Sequence, residues 1–375
     1  MARFISLFAG VGGFDLGMER AGHECVAQVE WDGNAAGVLK RQWPDVPLFC
    51  DVSRVSGEDL PDCEFLVYGF PCQDLSVAGK REGLNGQRSG LFYEATRLIR
   101  ELRARGCGLR IALAENVAGL FSADDGVALA RCIRELLDCG ACETGWRLLD
   151  SQYFGVAQRR KRVFIVSDFG GESVDEILAV TESLPGHPAP SREAGQGIAG
   201  DAGAGFTASS FGGYERGCGT LRSQGGDLGG GSETLLTQGA DVYNGELAGE
   251  TAVTSATGIA NASGPKAISW NGDVTPKASE DVSVTLRSQQ GGEGVGVAHL
   301  PLTVRRLTPV ECERLQGFPD GWTSEKMEVV LEGNEWKATG KVVKQADGPR
   351  YKAMGNAVTV NVAEWLGKRI GGIFL

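Results

Sequence analysis

The sequence predicts an α/β fold, a mixed but mostly parallel sheet with helices on both faces, joined to a smaller, irregular β-rich region. Three observations predict it. Strand-like and helix-like patterns alternate over residues 1–167, a Gly-, Ser- and Thr-rich segment fills 168–303, and ordinary globular composition returns over 304–375. A chain of 375 residues is long enough to bury a large core in one big domain or two of ordinary size.

In chain order, "ARFISLFAG", "ECVAQVEW", "EFLVYGF", "RIALAEN" and "RVFIVSD" are short apolar runs rich in strand formers. Between them, "GLFYEATRLIRELRARG" and "GVALARCIRELLDCG" space their apolar residues as helices do. Leu91, Ala95, Leu98, Ile99 and Leu102 fall on one helix face and read as core packing. Alternation of this kind places function at the carboxyl ends of the strands.

Residues 168–303 hold 27 of the 56 glycines with little helical periodicity. At 136 residues the segment is too long for a passive connection in a compact enzyme. It also repeats itself, "GTLRSQGGDLGGG" at 219–231 being echoed by "VTLRSQQGGEGVG" at 284–296, which predicts two similar strand-and-loop units. In the last region Thr308, Pro309 and Glu311 give a helix start its cap, its first-turn proline and its acid. "MEVVLEGNEWKATGKVV" reads as a hairpin turning at Gly333-Asn334, to which the sequence assigns no function.

The net charge of −11 argues at first against a nucleic-acid partner, because phosphate neutralisation needs Lys and Arg. Yet residues 168–303 carry 17 acidic and 6 basic side chains, which accounts for the whole excess. Ten cysteines without framework spacing fit reduced thiols, and the one close pair, Cys139 and Cys142, reads as two buried thiols at a helix end, with no metal expected. No signal peptide, long apolar span or lipidation motif is present, so the expectation is a soluble cytoplasmic protein without membrane contact, and with no oligomerisation pattern visible, a monomer.

Four motifs point to chemistry. "FAGVGGFDLG" (8–17) puts a glycine-rich turn after the first strand, where backbone can approach a ligand and amides can point at it. The dinucleotide fingerprint competes for this stretch, but Asp15 stands where its third glycine belongs. Glu30, ending the next strand twenty residues after Gly10, can take two ribose hydroxyls, and with Trp31 the turn reads as an adenosine site. Cys72 in "GFPCQ" and Glu115 in "ENV" follow two other strands and so face the same crevice. Thiolate and carboxyl together suit covalent attack on an electron-poor ring, the acid protonating a ring nitrogen; alone, Glu115 would read as a helix-capping carboxylate. "QRRKR" (158–162) is either a solvated charge run or, through Arg160 and Arg162 at alternating positions, a grip on phosphate or a base carbonyl.

"FAGVGGFDLG", "GFPCQ", "ENV", "QRRKR", "RRLTPVECERLQGFP" and "GNAV", in this order, resemble the DNA cytosine carbon-5 methyltransferases, bacterial or phage type. The resemblance spans Phe8 to Gly367 and leaves 168–303 as that family's variable target-recognition region. It implies a Rossmann-like S-adenosylmethionine-dependent methyltransferase fold, with 1–167 as catalytic domain and 304–375 as the remainder of the recognition domain plus a C-terminal helix returning to it. It implies S-adenosylmethionine as cofactor, held by Phe8, Gly10, Gly12, Glu30, Trp31, Asp51, Pro71, Leu91 and Asn356, the last on the C-terminal helix.

By the same resemblance Cys72 is the nucleophile for carbon 6 of cytosine and Glu115 the acid near N3. Arg162 holds the cytosine carbonyl, with Gln158 and Arg160 in support, and Arg160 is counted with the catalytic set. The target atoms are hidden in stacked duplex, so the base must be flipped out. "SVAGKREGLNGQRSG" resembles the mobile loop that closes over it, with Lys80, Arg81 and Arg88 as phosphate contacts. Gln158, Arg305 and Arg306 join these on the DNA side. Arg222 and Arg287, one in each TLRSQ copy, are candidates for reading guanine. Double-stranded DNA is the expected partner, with a cognate restriction endonuclease as a possible separate protein. The rivals are a transfer-RNA cytosine-5 methyltransferase, which has little need of a long insertion, a catalytically inactive DNA-binding relative, and a nicotinamide dehydrogenase, which explains neither Cys72 nor RRLTP.

Overall fold

The computed structural model describes residues 1–70, 90–171, 173–179 and 303–374, together with six short strands between 205 and 298. Its elements in chain order are β1 (Arg3–Leu7), α1 (Gly13–Arg20), β2 (Glu24–Val29), α2 (Gly33–Gln42), β3 (Leu48–Phe49), β4 (Phe65–Gly69), α3 (Gly90–Ala104), β5 (Ile111–Val117), α4 (Val127–Asp138), β6 (Glu143–Asp150), β7 (Lys161–Asp168) and α5 (Val174–Leu178). The short strands follow: β8 (Gly205–Ala208), β9 (Tyr214–Arg216), β10 (Thr234–Gln238), β11 (Lys266–Trp270), β12 (Lys277–Ser279) and β13 (Gly294–Ala298). Then come β14 (Thr303–Arg306), α6 (Pro309–Leu315), β15 (Glu325–Glu332), β16 (Glu335–Lys344), α7 (Asp347–Asn356) and α8 (Val360–Ile373).

The large sheet has nine strands in the order β15-β16-β3-β2-β1-β4-β5-β7-β6. Its centre, β3 to β5, is parallel, while β7, β6 and the β15–β16 hairpin add antiparallel edges. The chain turns outward in both directions from β1, to β2 and β3 on one side and to β4 and β5 on the other. A crevice therefore opens at the carboxyl ends of these strands.

Side chains alternate across the sheet as period two demands. Ile5 and Leu7 of β1 bury toward α3 and α4, and Phe4 buries toward α1, α5 and α8. The face of α3 expected from its spacing is the one buried, at Ala95, Leu98, Ile99 and Leu102. Helices α1 and α8 lie in close contact, where a Cβ on Gly17 would stand 2.4 Å from Cβ of Ala363 and one on Gly367 2.7 Å from that of Ala21. Small residues on both helices thus let the end of the chain lie against its beginning.

β7 runs through residue 168, and α5 packs its Val174, Ile177 and Leu178 into the same core, so the large sheet continues past the boundary expected at 167. The hairpin expected over 327–343 is present, runs from Glu325 to Lys344 and extends this sheet. Two smaller antiparallel sheets, β14-β10-β8-β9 and β12-β11-β13, lie within the glycine-rich segment and its flank. Both TLRSQ copies lie outside the described residues. Cys139 is buried at the end of α4 as expected, but Cys142 is exposed rather than buried. Among the described residues no helix is long and apolar enough to cross a membrane.

Candidate active site

The glycine turn leaves β1 through backbone that ordinary residues avoid. Phe8 (φ 55°), Gly10 (φ 58°) and Gly12 (φ 86°) are all left-handed. For Phe8 this is strained, and strain of this kind clusters at ligand sites. A Cβ on Gly10 would meet nothing within 4 Å, so its backbone faces open space. A Cβ on Gly12 would stand 2.5 Å from the Trp43 ring, which explains that glycine by packing.

Glu30 follows β2 and ties the turn down. Its Oε2 accepts the Gly10 N–H at 2.8 Å and its Oε1 the Asp32 N–H at 2.7 Å. Burial raises its proton affinity, against the pull of those two amides. Next to it the Trp31 ring is 70% exposed, an open aromatic face. Asp51, after β3, accepts from Ser53 N–H and Oγ through Oδ1, while Oδ2 accepts no hydrogen bond among the described residues. An open glycine backbone, a carboxylate, an unshielded indole and an uncommitted carboxylate oxygen fit an adenosyl group.

Asp15 gains a different meaning here. It is fully buried, accepting from Ser6 Oγ at 3.0 Å and Gln28 Nε2 at 2.7 Å, and so pins α1 to β1 and β2. Burial raises its proton affinity above the ordinary aspartate value of about 3.9. The folded state then holds more protons than the unfolded one between that value and the raised one, so this group's contribution to stability falls as pH rises through the window. Asp15→Asn is expected to remove that fall, flattening the stability curve above about pH 4 in urea denaturation across a pH series. An unchanged slope would place the ionised carboxylate at no cost.

On the other side of the crevice, Glu115 lies within β5 rather than after it. β7 runs antiparallel with Arg162 opposite Val117, so Arg162 and Glu115 share a face as diagonal neighbours. Arg162 Nε reaches Glu115 Oε1 at 2.9 Å, and both side chains are mostly buried. The ion pair displaces the helix-capping alternative for Glu115. A Cβ on Gly69 would stand 3.4 Å from Glu115 Oε2, so the carboxylate sits against the end of β4, three residues before Cys72 in sequence. Asn116, whose role went unread in the sequence, donates from Nδ2 to the Phe70 carbonyl at 3.2 Å and fixes that same strand end.

Arg160 and Arg162 have different partners. Arg160 precedes β7, is almost wholly buried, and donates to the carbonyls of Gly355 and Ala357 at 3.1 and 2.9 Å. Burial and the neighbouring Arg162 charge lower its pKa to about 9. Through these contacts it positions the backbone on either side of Asn356. That asparagine is exposed at the end of α7, not on the C-terminal helix, because the chain is extended at Ala357 and Thr359 before α8 begins. Gln158 is fully buried and cannot face DNA phosphate, so it supports rather than binds.

Leu91 is half-buried against the core at the first turn of α3. The backbone of Arg305 pairs with Leu236 in the four-stranded sheet. Pro71, Cys72, Lys80, Arg81, Arg88, Arg222 and Arg287 lie outside the described residues.

A crevice at the switch point of an open α/β sheet, with an adenosyl-fitting turn on one side and a carboxylate–guanidinium pair on the other, is the arrangement of an enzyme that works with a nucleotide-type cofactor. A sequence profile of C-5 cytosine-specific DNA methylases matches residues 2–185 and 265–372. The chain belongs to that family, and its reaction is methyl transfer from S-adenosylmethionine to carbon 5 of cytosine in DNA. Type II methyltransferase M2.BsuMI of Bacillus subtilis is 27% identical over 98% of this chain and 75% of its own length. M.HhaI of Haemophilus parahaemolyticus is 25% identical over 98% and 94%. The crystal structure of S. pombe Dnmt2 methyltransferase superposes with a TM-score of 0.60 at 15% identity over the whole of both chains, a likeness of fold.

Proposed function

We propose that the protein methylates cytosine within a specific sequence of double-stranded DNA, acting as a cytoplasmic monomer on a base flipped out of the helix. A cognate restriction endonuclease is its candidate separate partner. The Glu115–Arg162 pair at the strand end beside Gly69 is the observation that most supports this reading.

Carbon 5 of cytosine is a poor nucleophile until a thiolate adds at carbon 6. In the proposed course Cys72 makes that bond while Glu115 supplies a proton at ring N3, so the electron pair moves toward carbon 5 rather than onto a bare nitrogen. Arg162 donates to the ring carbonyl and keeps Glu115 oriented. S-adenosylmethionine, when bound by Gly10, Glu30, Trp31, Asp51 and Asn356, supplies the methyl group. After transfer the carbon-5 proton is removed and the Cys72 sulfur leaves, regenerating the aromatic ring. Residues 1–167, with the end of β7 and α5 packed on them, form the catalytic part of this scheme, the rest of 168–303 the target-recognition region and 304–375 its remainder with the returning helix. In it Lys80, Arg81, Arg88 and Arg305 bind phosphate, while Arg222 and Arg287 read bases.

The test is methylation mapping. Purified protein is incubated with unmethylated genomic DNA and S-adenosylmethionine, with Cys72→Ala as the blank, and 5-methylcytosine is located at single-base resolution. Methylation confined to one or two short motifs, absent from the blank, is the expected result and counts the working recognition units. Methylation of transfer RNA in place of DNA overturns the sequence-specific reading.

A further inference from the structure

The hairpin β15–β16 takes no part in the chemistry above, yet its tip is bound to two of the segments that form the proposed adenosyl site. Asn334 accepts the Asp51 N–H through Oδ1 at 2.9 Å and donates from Nδ2 to the Asp51 carbonyl at 3.0 Å. Its own carbonyl accepts the Cys50 N–H at 2.8 Å. Trp336 donates from its indole to the Glu30 carbonyl at 2.9 Å, and a Cβ on Gly33 would stand 3.4 Å from the Trp336 ring. Ladder pairing between β16 and β3 covers one residue pair, Glu335 with Phe49, so side chains make most of this connection.

The rest of the hairpin is braced for the purpose. Lys326 Nζ donates to Asn34 Oδ1 at 2.6 Å and Arg41 pairs with Glu325 at 2.9 Å. A Cβ on Gly37 would come 2.5 Å from the Met327 carbonyl, so α2 accepts the hairpin only because that position is glycine. Glu332 and Glu335 pair directly, which leaves Gly333 and Asn334 as a two-residue loop. Gly333 (φ 65°) supplies its left-handed position and Asn334 its side-chain reach.

We propose that this hairpin is a positioning clamp for the adenosyl end of the cofactor site, Asn334 fixing Asp51 and Trp336 fixing Glu30. The proposal rests on the reading of Glu30 and Asp51 as cofactor residues. Asn334 and Trp336 touch no reacting atom; they set where two carboxylates present themselves. Occupancy should therefore depend on them and turnover of the filled enzyme should not.

The experiment measures S-adenosylmethionine binding by titration calorimetry on the full chain, with kcat, KM for DNA and the ligand-free melting temperature beside it. Asn334→Ala and Trp336→Phe are each expected to weaken binding about tenfold, the worth of one well-placed hydrogen bond. Saturated kcat should stay within about twofold and KM for DNA should not move. Glu328→Ala with Lys341→Ala, an exposed pair at 3.2 Å away from the tip, should behave as the unaltered protein. If Asn334→Ala does not fold, Trp336→Phe, which keeps a ring over Gly33 without the donor, decides. Unchanged binding in both tip variants while Glu30→Ala binds weakly overturns the clamp alone. Unchanged binding in Glu30→Ala as well overturns the site reading beneath it. A parallel fall in melting temperature and kcat makes the hairpin a folding element and also overturns the clamp.

Discussion

Glu115→Gln is expected to lower kcat about a thousandfold while binding of S-adenosylmethionine is unchanged. Glutamine keeps the shape of the side chain and its place on β5, but it has no proton to give ring N3, and general acid catalysis contributes roughly 10²–10⁴ in rate. It also leaves Arg162 beside a neutral amide in a mostly buried position, where the guanidinium loses its ionic partner. Some loss of stability should accompany the loss of rate. Single-turnover methylation of a cognate duplex, read beside a melting curve, separates the two. A rate within tenfold of the unaltered enzyme would assign the proton elsewhere.

Glu313→Ala is expected to cost about 3–5 kcal/mol of folding stability, the usual result of removing one member of a buried ion pair. Glu313 is fully buried on α6, where its Oε1 takes Arg350 at 3.1 Å and the Thr323 N–H at 2.9 Å, and its Oε2 takes the Gly321 N–H at 2.7 Å. Alanine would strand Arg350 without its buried charge partner and leave two amides short of an acceptor, against a total stability of only about 5–15 kcal/mol for a typical domain. The loop they hold is not remote from the site, because Trp322 donates to the Val11 carbonyl within the glycine turn at 2.8 Å. Calorimetry should show the loss as a melting point lower by roughly 10 °C. A change under about 1 kcal/mol would mean that burial had already cancelled the pair's attraction.

Much of the fold was legible because burial on both faces writes itself into composition. β1, β2, β4, β5 and β7 are apolar runs for that reason, and the Thr308–Glu311 capping box was readable from identity and spacing alone. β6 was not read as a strand, since it is an edge strand with Trp146 and Leu148 exposed and no burial period to detect. α2 escaped for a related reason: its small residues, Gly37 above all, are chosen for the hairpin laid against them, and no local pattern reveals a neighbour 290 residues away.

The site was legible where chemistry dictates residue type, at Glu30, Glu115 and Arg162. Partners were less legible than residue types. Arg160 and Arg162 alternate in sequence, yet one takes the Gly355 and Ala357 carbonyls and the other Glu115. Asp15 read as a broken fingerprint because a buried carboxylate that ties two strands to a helix has no sequence signature of its own. Asn334 was legible only as a turn residue and Trp336 not at all; their contacts become visible once the tip of their hairpin is found against Asp51 and Glu30.

The glycine-lined contact between α1 and α8 has a consequence for synthesis. Phe14 and Met18 belong to a core that Val362, Ala363, Leu366 and Ile370 complete. During synthesis α1 must wait with its apolar side uncovered until α8, about 340 residues further along the chain, has been made. The layer behind the glycine turn is therefore assembled only once α8 has left the ribosome, so the slowest step in building this site is the return of a distant helix.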